Sequence, residues 1–474
     1  MIPDINHANN HSDDPRSPFE RPNRANKLVI AIDRESLPNS DALENLLGFG
    51  RHEPIHMMST RDEGVEHIIF GEESNDVLQY RIVPMEGDID LGNGFRNGLR
   101  SAVPSMTQWR QFADEGEKKG YGKANDILNA LTLAQLCVDR GVHILVTARN
   151  YLLTQAPRNI VKFSNPGTVQ EALALVGLYL RTQNDFTYYR RPHPTNRNAG
   201  GLTMRLDRSQ YFWELTRQLL DGSWRWFSAC NASSAESKDE RLGYLGRTLF
   251  TRFDRALRTR DKLQEQLRLV PTHNTADEAM YYLDVIMLLI SGCFDVLAQV
   301  ATTAYGIELN DNKISWRRDE WRRALKQKDP TLFEATEKGK PSRDALELVS
   351  IFRNSIHGEA LPGALVRDGF RISGLQMVLR KGDVSKVVEL ANEYGGIELW
   401  GIEKAKDDSL YAVNLNVFIE KLLPFVVAAL NSIMELTQVD KLPGVKPEEL
   451  MSKPTQTKSL YEQMPGMVRL LSGL

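Results

Sequence analysis

Cysteine is scarce. The 474 residues hold three, Cys137, Cys230 and Cys293, far apart and without a C-x-x-C pair. That excludes a disulfide framework and a thiolate zinc site, and it fits a reducing, cytoplasmic setting. Residues 1–26 lack the apolar core of a signal peptide; rich in Asn, Asp, Pro and Arg, they read as a disordered leader. The greasiest runs, 285–294 and 422–430, fall short of the ~20 residues a membrane helix needs. Asp284, Asp295 and Pro424 punctuate them, so core helices and no membrane partner are expected. Neither sign of charge dominates either: 59 Lys plus Arg against 62 Asp plus Glu leave −3, a total that by itself suggests neither a polyanion partner nor an acidic tail. No internal repeat is visible.

What is present describes a folded chain. Apolar residues at 41% and charged residues at 26% are globular values, and the length calls for more than one core. Residues 27–33, Lys-Leu-Val-Ile-Ala-Ile-Asp, read as a buried strand ending in a carboxylate and feeding a helix over 42–47. A helical pattern opens at Asn125-Asp126 and stops at Gly141, and 143–147 supplies another strand. Strand, helix, strand predicts a parallel α/β layer over 27–165, with further strands at 66–70 and 78–84. A boundary near 164–167 is followed from Thr168 by a helical pattern to about 219, and 232–239 has linker composition, which defines a basic helical connector over 166–237.

Beyond it, long helices are predicted at 239–269 and 276–304, the second opened by a capping box on Thr275 and Glu278. A helix from Ser342 to about His357 and a last helix over 415–436 with Pro424 complete a mainly α domain at 238–440. A small β insertion interrupts it at about 365–413, and residues 441–474 form a tail.

One string resembles a zinc-protease motif, His52-Glu53-Pro54-Ile55-His56. That chemistry needs both histidines on one helical face, and Pro54 stands where the helix interior would be, so a surface loop is the expected reading.

Asp33 and Asp126 are the second constellation: one ends a strand, the other opens a helix, and both are expected at the C-terminal edge of one sheet, where α/β folds place ligands. Residues 27–165 resemble PIN-like nucleases, with Asp33 as the strand-end aspartate and Asp126 through Val146-Thr147 as the later segment. The resemblance implies carboxylates holding Mg or Mn, ions suited to hard oxygen ligands. It implies an acid soon after the Val-Thr as well, where this chain has Ala148, Arg149 and Asn150; Glu72, Glu73 and Glu86 are candidates for a middle acid. The plain alternative is a strand-end acid and a helix cap.

The third lies at Phe352-Arg353-Asn354-Ser355-Ile356-His357-Gly358-Glu359. Arg353 and His357, four apart, place a permanent cation and a titratable imidazole on one helical face, a pairing able to bind a phosphate and exchange a proton with a ribose hydroxyl. The run resembles the R-N-x-I-x-H-G signature of HEPN domains, a likeness extending over about 238–439. That resemblance implies a metal-independent RNase, with His357 as acid/base, Arg353 as phosphate contact, Asn354 as the accompanying polar residue, no cofactor, and a homodimer through the helical domain. Only three residues separate Arg353 from His357, whereas the family usually spaces them by four to six. The alternative is a helix-end histidine, with Arg353 paired to Glu347 or Glu359.

From 181 to 270 the chain carries 17 Lys plus Arg against 10 Asp plus Glu, a local 17 − 10 = +7, interleaved with Tyr188-Tyr189-Arg190-Arg191, Trp213 and Trp224-Arg225-Trp226. Arginines for phosphates and aromatics for bases suit a single strand, making Arg190, Arg191 and Arg225 candidate RNA contacts; core tryptophans and solvated arginines are the alternative. The leading expectation is an RNA-directed endoribonuclease of HEPN type, a toxin or defence effector. A catalytically degenerate nucleic-acid-binding regulator or scaffold, or a metal-dependent PIN-type nuclease, are the alternatives.

Overall fold

The computed structural model describes residues 27–474 apart from 53, 61–65, 70–78, 87–98, 106, 140, 156–164, 191–201, 239, 357–361, 369–370, 405–409 and 451–459. It divides into two compact units, 1–206 with 470–473, and 207–469 with 474.

The first unit is an α/β layer. Its elements are β1 (Leu28–Ile32), α1 (Asp41–Gly48), β2 (Ile55–Thr60), β3 (Glu66–Ile69), β4 (Gln79–Glu86), β5 (Leu99–Ser105), α2 (Thr107–Lys118), α3 (Ala124–Asp139), β6 (Ile144–Val146), β7 (Pro166–Gly167), α4 (Val169–Thr182), β8 (Thr187–Arg190) and β9 (Leu202–Arg205). Strands β2, β1, β6 and β7 run parallel, and β4 pairs antiparallel with β2, β3 and β5. The apolar run of β1 is buried on both faces, as a central parallel strand requires. Ala31, with Val29, joins the cluster formed by Trp109 of α2 and Ile127, Leu131 and Ala134 of α3. Alternation turns Leu28, Ile30 and Ile32 to the other face, where α4 packs on β1 and β6 and also against α1.

Two expectations change here. The His-Glu-Pro-Ile-His string is no helix, but neither is all of it a loop: Ile55 and His56 begin β2, with His56 opposite Val29. The helical reading of 168–219 is interrupted by the antiparallel pair β8–β9, where Thr187, Tyr188 and Tyr189 suit strands better than helices.

The second unit is mainly helical: α5 (Arg208–Leu219), α6 (Ser223–Ser237), α7 (Arg241–Gln266), α8 (His273–Ala304), α9 (Asp319–Lys328), α10 (Pro330–Ala335), α11 (Pro341–Ser355), β10 (Gly363–Asp368), β11 (Arg371–Val378), α12 (Lys381–Glu393), β12 (Ile402–Lys404), β13 (Tyr411–Asn414), α13 (Leu415–Leu436) and α14 (Leu460–Ser472). Helices α7 and α8 form a long hairpin, against which α6, α11 and α13 pack. The insertion between α11 and α13 is a four-stranded antiparallel sheet ordered β10-β11-β13-β12.

The expected linker at 232–239 is largely helix α6. Its small residues face α7 at close quarters: a methyl on Gly246 would meet Cys230 Cβ at 3.0 Å, and one on Gly243 would meet Ser234 Oγ at 3.1 Å. The cap of α8 also lies a turn earlier than expected, in a reciprocal box between Thr272 and Thr275. By length and hydropathy α8 and α13 could each cross a membrane, yet 67% and 50% of their most apolar windows are buried inside this unit. Cys137, Cys230 and Cys293 are free and buried, and burial pushes the Cys230 and Cys293 thiols up to about 12.

A polar clasp holds the first unit beside β2. His52 Nε2 lies 2.9 Å from Asp185 Oδ2, while Thr187 donates to Asp185 Oδ1 from its amide (3.0 Å) and its hydroxyl (2.6 Å). Burial alone would raise the Asp185 carboxyl, but the bonds from His52 and Thr187 and the charge of His52 outweigh it and hold it down at about 2. Because this lies below the 3.8 of a free aspartate, Asp185 contributes stability above about pH 4 that is lost as pH falls through about 2. Asp185→Asn is therefore expected to cost about 1–2 kcal/mol in urea unfolding near pH 5 and a small fraction of that near pH 2. Equal losses at both ends would count against the clasp.

Candidate functional site

Strand β1 lies between β2 and β6, so the chain leaves β1 to one side and later returns on the other. The crevice beyond the C-terminal ends of such strands is the usual ligand position of an open α/β sheet. Asp33 follows β1 there, fully buried, its amide donating to Val146 O at 2.9 Å. Thr147 follows β6 and gives its hydroxyl to Asp33 Oδ2 at 2.8 Å. Arg149 then closes the crevice, with Nε 2.7 Å from Asp33 Oδ2, Nη2 3.3 Å from Asp33 Oδ1, and Nη2 also 2.8 Å from Glu35 Oε2. Ser36 Oγ joins the network, 3.1 Å from Thr147 Oγ1 and accepting from the Ala148 amide at 2.9 Å. Desolvation would lower the Arg149 value, but the bonds and charges of Asp33 and Glu35 together raise it, so the guanidinium stays a cation.

This arrangement does not fit Mg or Mn. A hard cation would need the oxygens of Asp33 that Arg149 and Thr147 already occupy, and it would meet a guanidinium in the same crevice. Asp126 is exposed in the first turn of α3, and the described residues contain no cluster of three or more His, Cys, Asp or Glu suited to a metal. Of the proposed middle acids, Glu72 and Glu73 lie outside the described residues, and Glu86 ends β4.

The second candidate site is at the end of α11. Pro341 starts this helix at a position where no amide partner is needed, and Ala345, Leu348, Val349 and Phe352 are its buried side. Phe352 packs against Phe418 of α13, with the ring planes tilted by 60° and the centroids 4.8 Å apart. The register leaves Arg353 half-buried and Asn354 exposed in the last turn, where a cation also meets the negative end of the helix dipole. The helix ends at Ser355, and His357 lies outside the described residues. Glu347 is no partner of Arg353; Lys386, Arg317 and Arg343 surround it instead.

Arg353 and Arg252 of α7 both act electrostatically on Asp295 of α8. Although Asp295 is exposed, the surrounding helices desolvate its carboxyl and raise it, against the opposing pull of Arg353 and Arg252. Arg252 is fixed by a 2.5 Å bond from Nη1 to the Gly292 carbonyl. Two arginines from two further helices thus share the electrostatic field of one carboxylate. Asp295 had a signal in the sequence, an acid that closes the most apolar run of its helix; Arg252 had none that set it apart on an arginine-rich helix.

The candidate RNA contacts belong to different elements. Arg190 ends β8, Arg191 lies outside the described residues, and Arg225 of α6 is engaged by Asp440 (3.0 Å) and the Glu435 carbonyl (3.2 Å). Trp226 is core, its indole N–H donating to Met434 O at 2.9 Å. Trp213 is half exposed, with Arg217 lying over its ring at 3.9 Å and over the Trp224 ring at 3.3 Å. No family model, curated protein or solved structure matches the chain.

Removing one member of the Asp33–Arg149 pair leaves a buried charge uncompensated. Arg149→Ala is expected to lower unfolding free energy by about 3–5 kcal/mol. Replacing both, Asp33→Asn with Arg149→Met, should cost much less; chemical denaturation of the three chains makes the comparison, and a double variant as unstable as the single one would contradict the pairing.

Proposed function

We propose that this chain is an RNA-directed protein joining a PIN-like α/β unit to a HEPN-like helical unit, and that it acts as a metal-independent endoribonuclease of the toxin or defence-effector type. The observation that carries this reading is the end of α11. Arg353, half-buried, and Asn354, exposed, lie in its last turn, Arg353 and Arg252 both act on Asp295, and His357 follows two residues later in the sequence.

In the reaction we envisage, the ribose O2′ attacks the adjacent phosphorus and the P–O5′ bond breaks. The products are a 2′,3′-cyclic phosphate and a free 5′-hydroxyl, and no water or metal is consumed. The imidazole of His357 takes the O2′ proton and returns a proton to the departing O5′. Arg353 neutralises the phosphate as charge develops, Arg252 adds a second cation nearby, and Asn354 offers an amide for positioning. A homodimer through the helical unit is part of the proposal.

In this reading the PIN-like unit is degenerate, since Arg149 occupies the carboxylate that a metal would need, and it serves to bind rather than cut. The same observation favours the second reading, a non-catalytic RNA-binding regulator.

Purified chain incubated with mixed RNA is expected to cleave in the presence of EDTA. His357→Ala should lower the rate by about 10²–10⁴-fold, while Asp126→Ala should leave it unchanged. Loss of cleavage with EDTA and in Asp126→Ala would instead assign the chemistry to a metal in the first unit. Binding without cleavage under every condition would assign the regulator.

A further inference from the structure

On the helical unit three cations converge on one carboxylate, more positive charge than it can balance. Glu347 of α11 is met from three parts of the chain. Lys386 of α12 bonds its Oε1 through Nζ, Arg317, just before α9, has Nε 3.6 Å from its Oε2, and Arg343, one turn earlier on α11, has Nη2 3.9 Å from the same oxygen. Burial alone would raise the Glu347 carboxyl, but the three cations outweigh it and hold it below the usual carboxylate range, so it stays ionised. The immediate circle carries 3 − 1 = +2.

The surrounding elements do not cancel this excess. From Lys313 to Glu347 the chain has 10 Lys plus Arg against 7 Asp plus Glu, and from Arg380 to Glu393 three against three, so with every acid of both segments counted 13 − 10 leaves +3. Asp344, the other carboxylate acting on Arg343, is buried and already accepts from the Tyr394 hydroxyl at 2.8 Å and the Gly339 amide at 3.2 Å. Arg343 registers the shortfall: burial, with Arg322 and Arg317, lowers its value against the pull of Glu347 and Asp344. Like charges held this close repel, so an anion beside them is favoured.

The donors to hold one are in place. Arg343 is fixed by a bond from Nη1 to the Trp316 carbonyl. The Arg317 guanidinium has no hydrogen-bond acceptor among the described residues, its backbone amide alone being taken, by Ser315 Oγ, and Lys386 uses one of its three N–H groups. Their side chains are 39% and 44% exposed, against 13% for Glu347. Glu347 is thus an inner clip that holds two accessible cations at one place. Seven residues separate it from Asn354, so the two share a face of α11, about 10 Å apart along its axis. A strand held by a phosphate at the end of α11 carries its next phosphates at comparable distances.

We infer that Arg317 and Lys386, clipped by Glu347, form a seat for a backbone phosphate of the RNA strand cut at the end of α11. No exposed aromatic belongs to the cluster, so the seat reads phosphate and not base sequence. This deepens the RNA-directed reading and rests on it, but binding and cleavage can fail separately.

The test uses the full chain carrying His357→Ala, so that RNA survives, and measures anisotropy of labelled oligouridine and oligoadenosine at several KCl concentrations. Arg317→Gln together with Lys386→Gln is expected to weaken binding of both about 10-fold and to flatten the salt dependence of log affinity by ~0.7 for each phosphate no longer neutralised. Arg317→Lys together with Lys386→Arg, which keeps both charges, should retain most of the binding. Circular-dichroism melting checks that each variant is folded. Unchanged affinity and salt slope in the folded Gln pair overturn the inference, as does a loss confined to one base sequence. Oligoglutamate binding as tightly as the RNA, with the same dependence on Arg317 and Lys386, would overturn it in favour of an acidic protein partner. Cleavage by the parent chain without this binding pattern leaves the proposed activity standing and removes this seat; the binding pattern without cleavage does the reverse.

Discussion

A carboxylate sealed at the end of a parallel strand must be neutralised where it stands, and in this chain the counter-ion comes from the neighbouring strand's loop. Arg149 reaches both oxygens of Asp33 and continues to Glu35, while Thr147 and Ser36 complete the ring of bonds. The pair welds the ends of β1 and β6 at the position where an open α/β sheet otherwise keeps a cleft. In low dielectric such a pair is more a constraint than a reserve of stability: its desolvation cost offsets most of the attraction, but neither partner can leave alone. Everything chemical in the first unit follows from that, because the charge that could have served a cation is already satisfied.

The helical unit is organised differently. Its long hairpin buries the apolar side of α8, and two polar groups at the C-terminal end of that helix are answered by neighbouring elements. Thr302 takes the indole N–H of Trp321 at 2.6 Å, and Tyr305, at the end of the helix, gives its hydroxyl to Asp329 at 2.6 Å. Asp295, also on this helix, lies in the field of two arginines, Arg353 and Arg252, while the residue as a whole stays exposed. A charge cluster left open at a helix junction keeps its capacity to reorganise around a ligand, which the sealed cluster of the first unit has given up.

Much of the architecture was legible in the sequence because strong periodic signals carried it. Strand β1, the helices over 124–139, 273–304 and 415–436, and the β insertion follow from apolar pattern and punctuation. What was missed depended on tertiary partners. Strand β2 has Pro54 at its threshold and His and Met within it, so that only pairing with β1 makes it a strand. The Ser- and Ala-rich stretch of α6 looks like a linker until Gly243 and Gly246 of α7 are seen to admit it closely. The same holds for the sites. Arg149 was visible as an intruding cation, but its bidentate grip on Asp33 was not. Trp213, Trp224 and Trp226 had equal standing in the sequence, and only folding separated the core indole from the exposed one.

That separation has an optical consequence. Five of the seven tryptophans, Trp109, Trp226, Trp316, Trp321 and Trp400, are buried, while Trp213 is half exposed. Water relaxes around an exposed indole and shifts its emission to longer wavelength, so the red edge of the intrinsic fluorescence belongs mainly to Trp213. Native protein, unlabelled and unmodified, therefore carries its own reporter on one helix face, and a quencher such as iodide would read the accessibility of that face without disturbing the core.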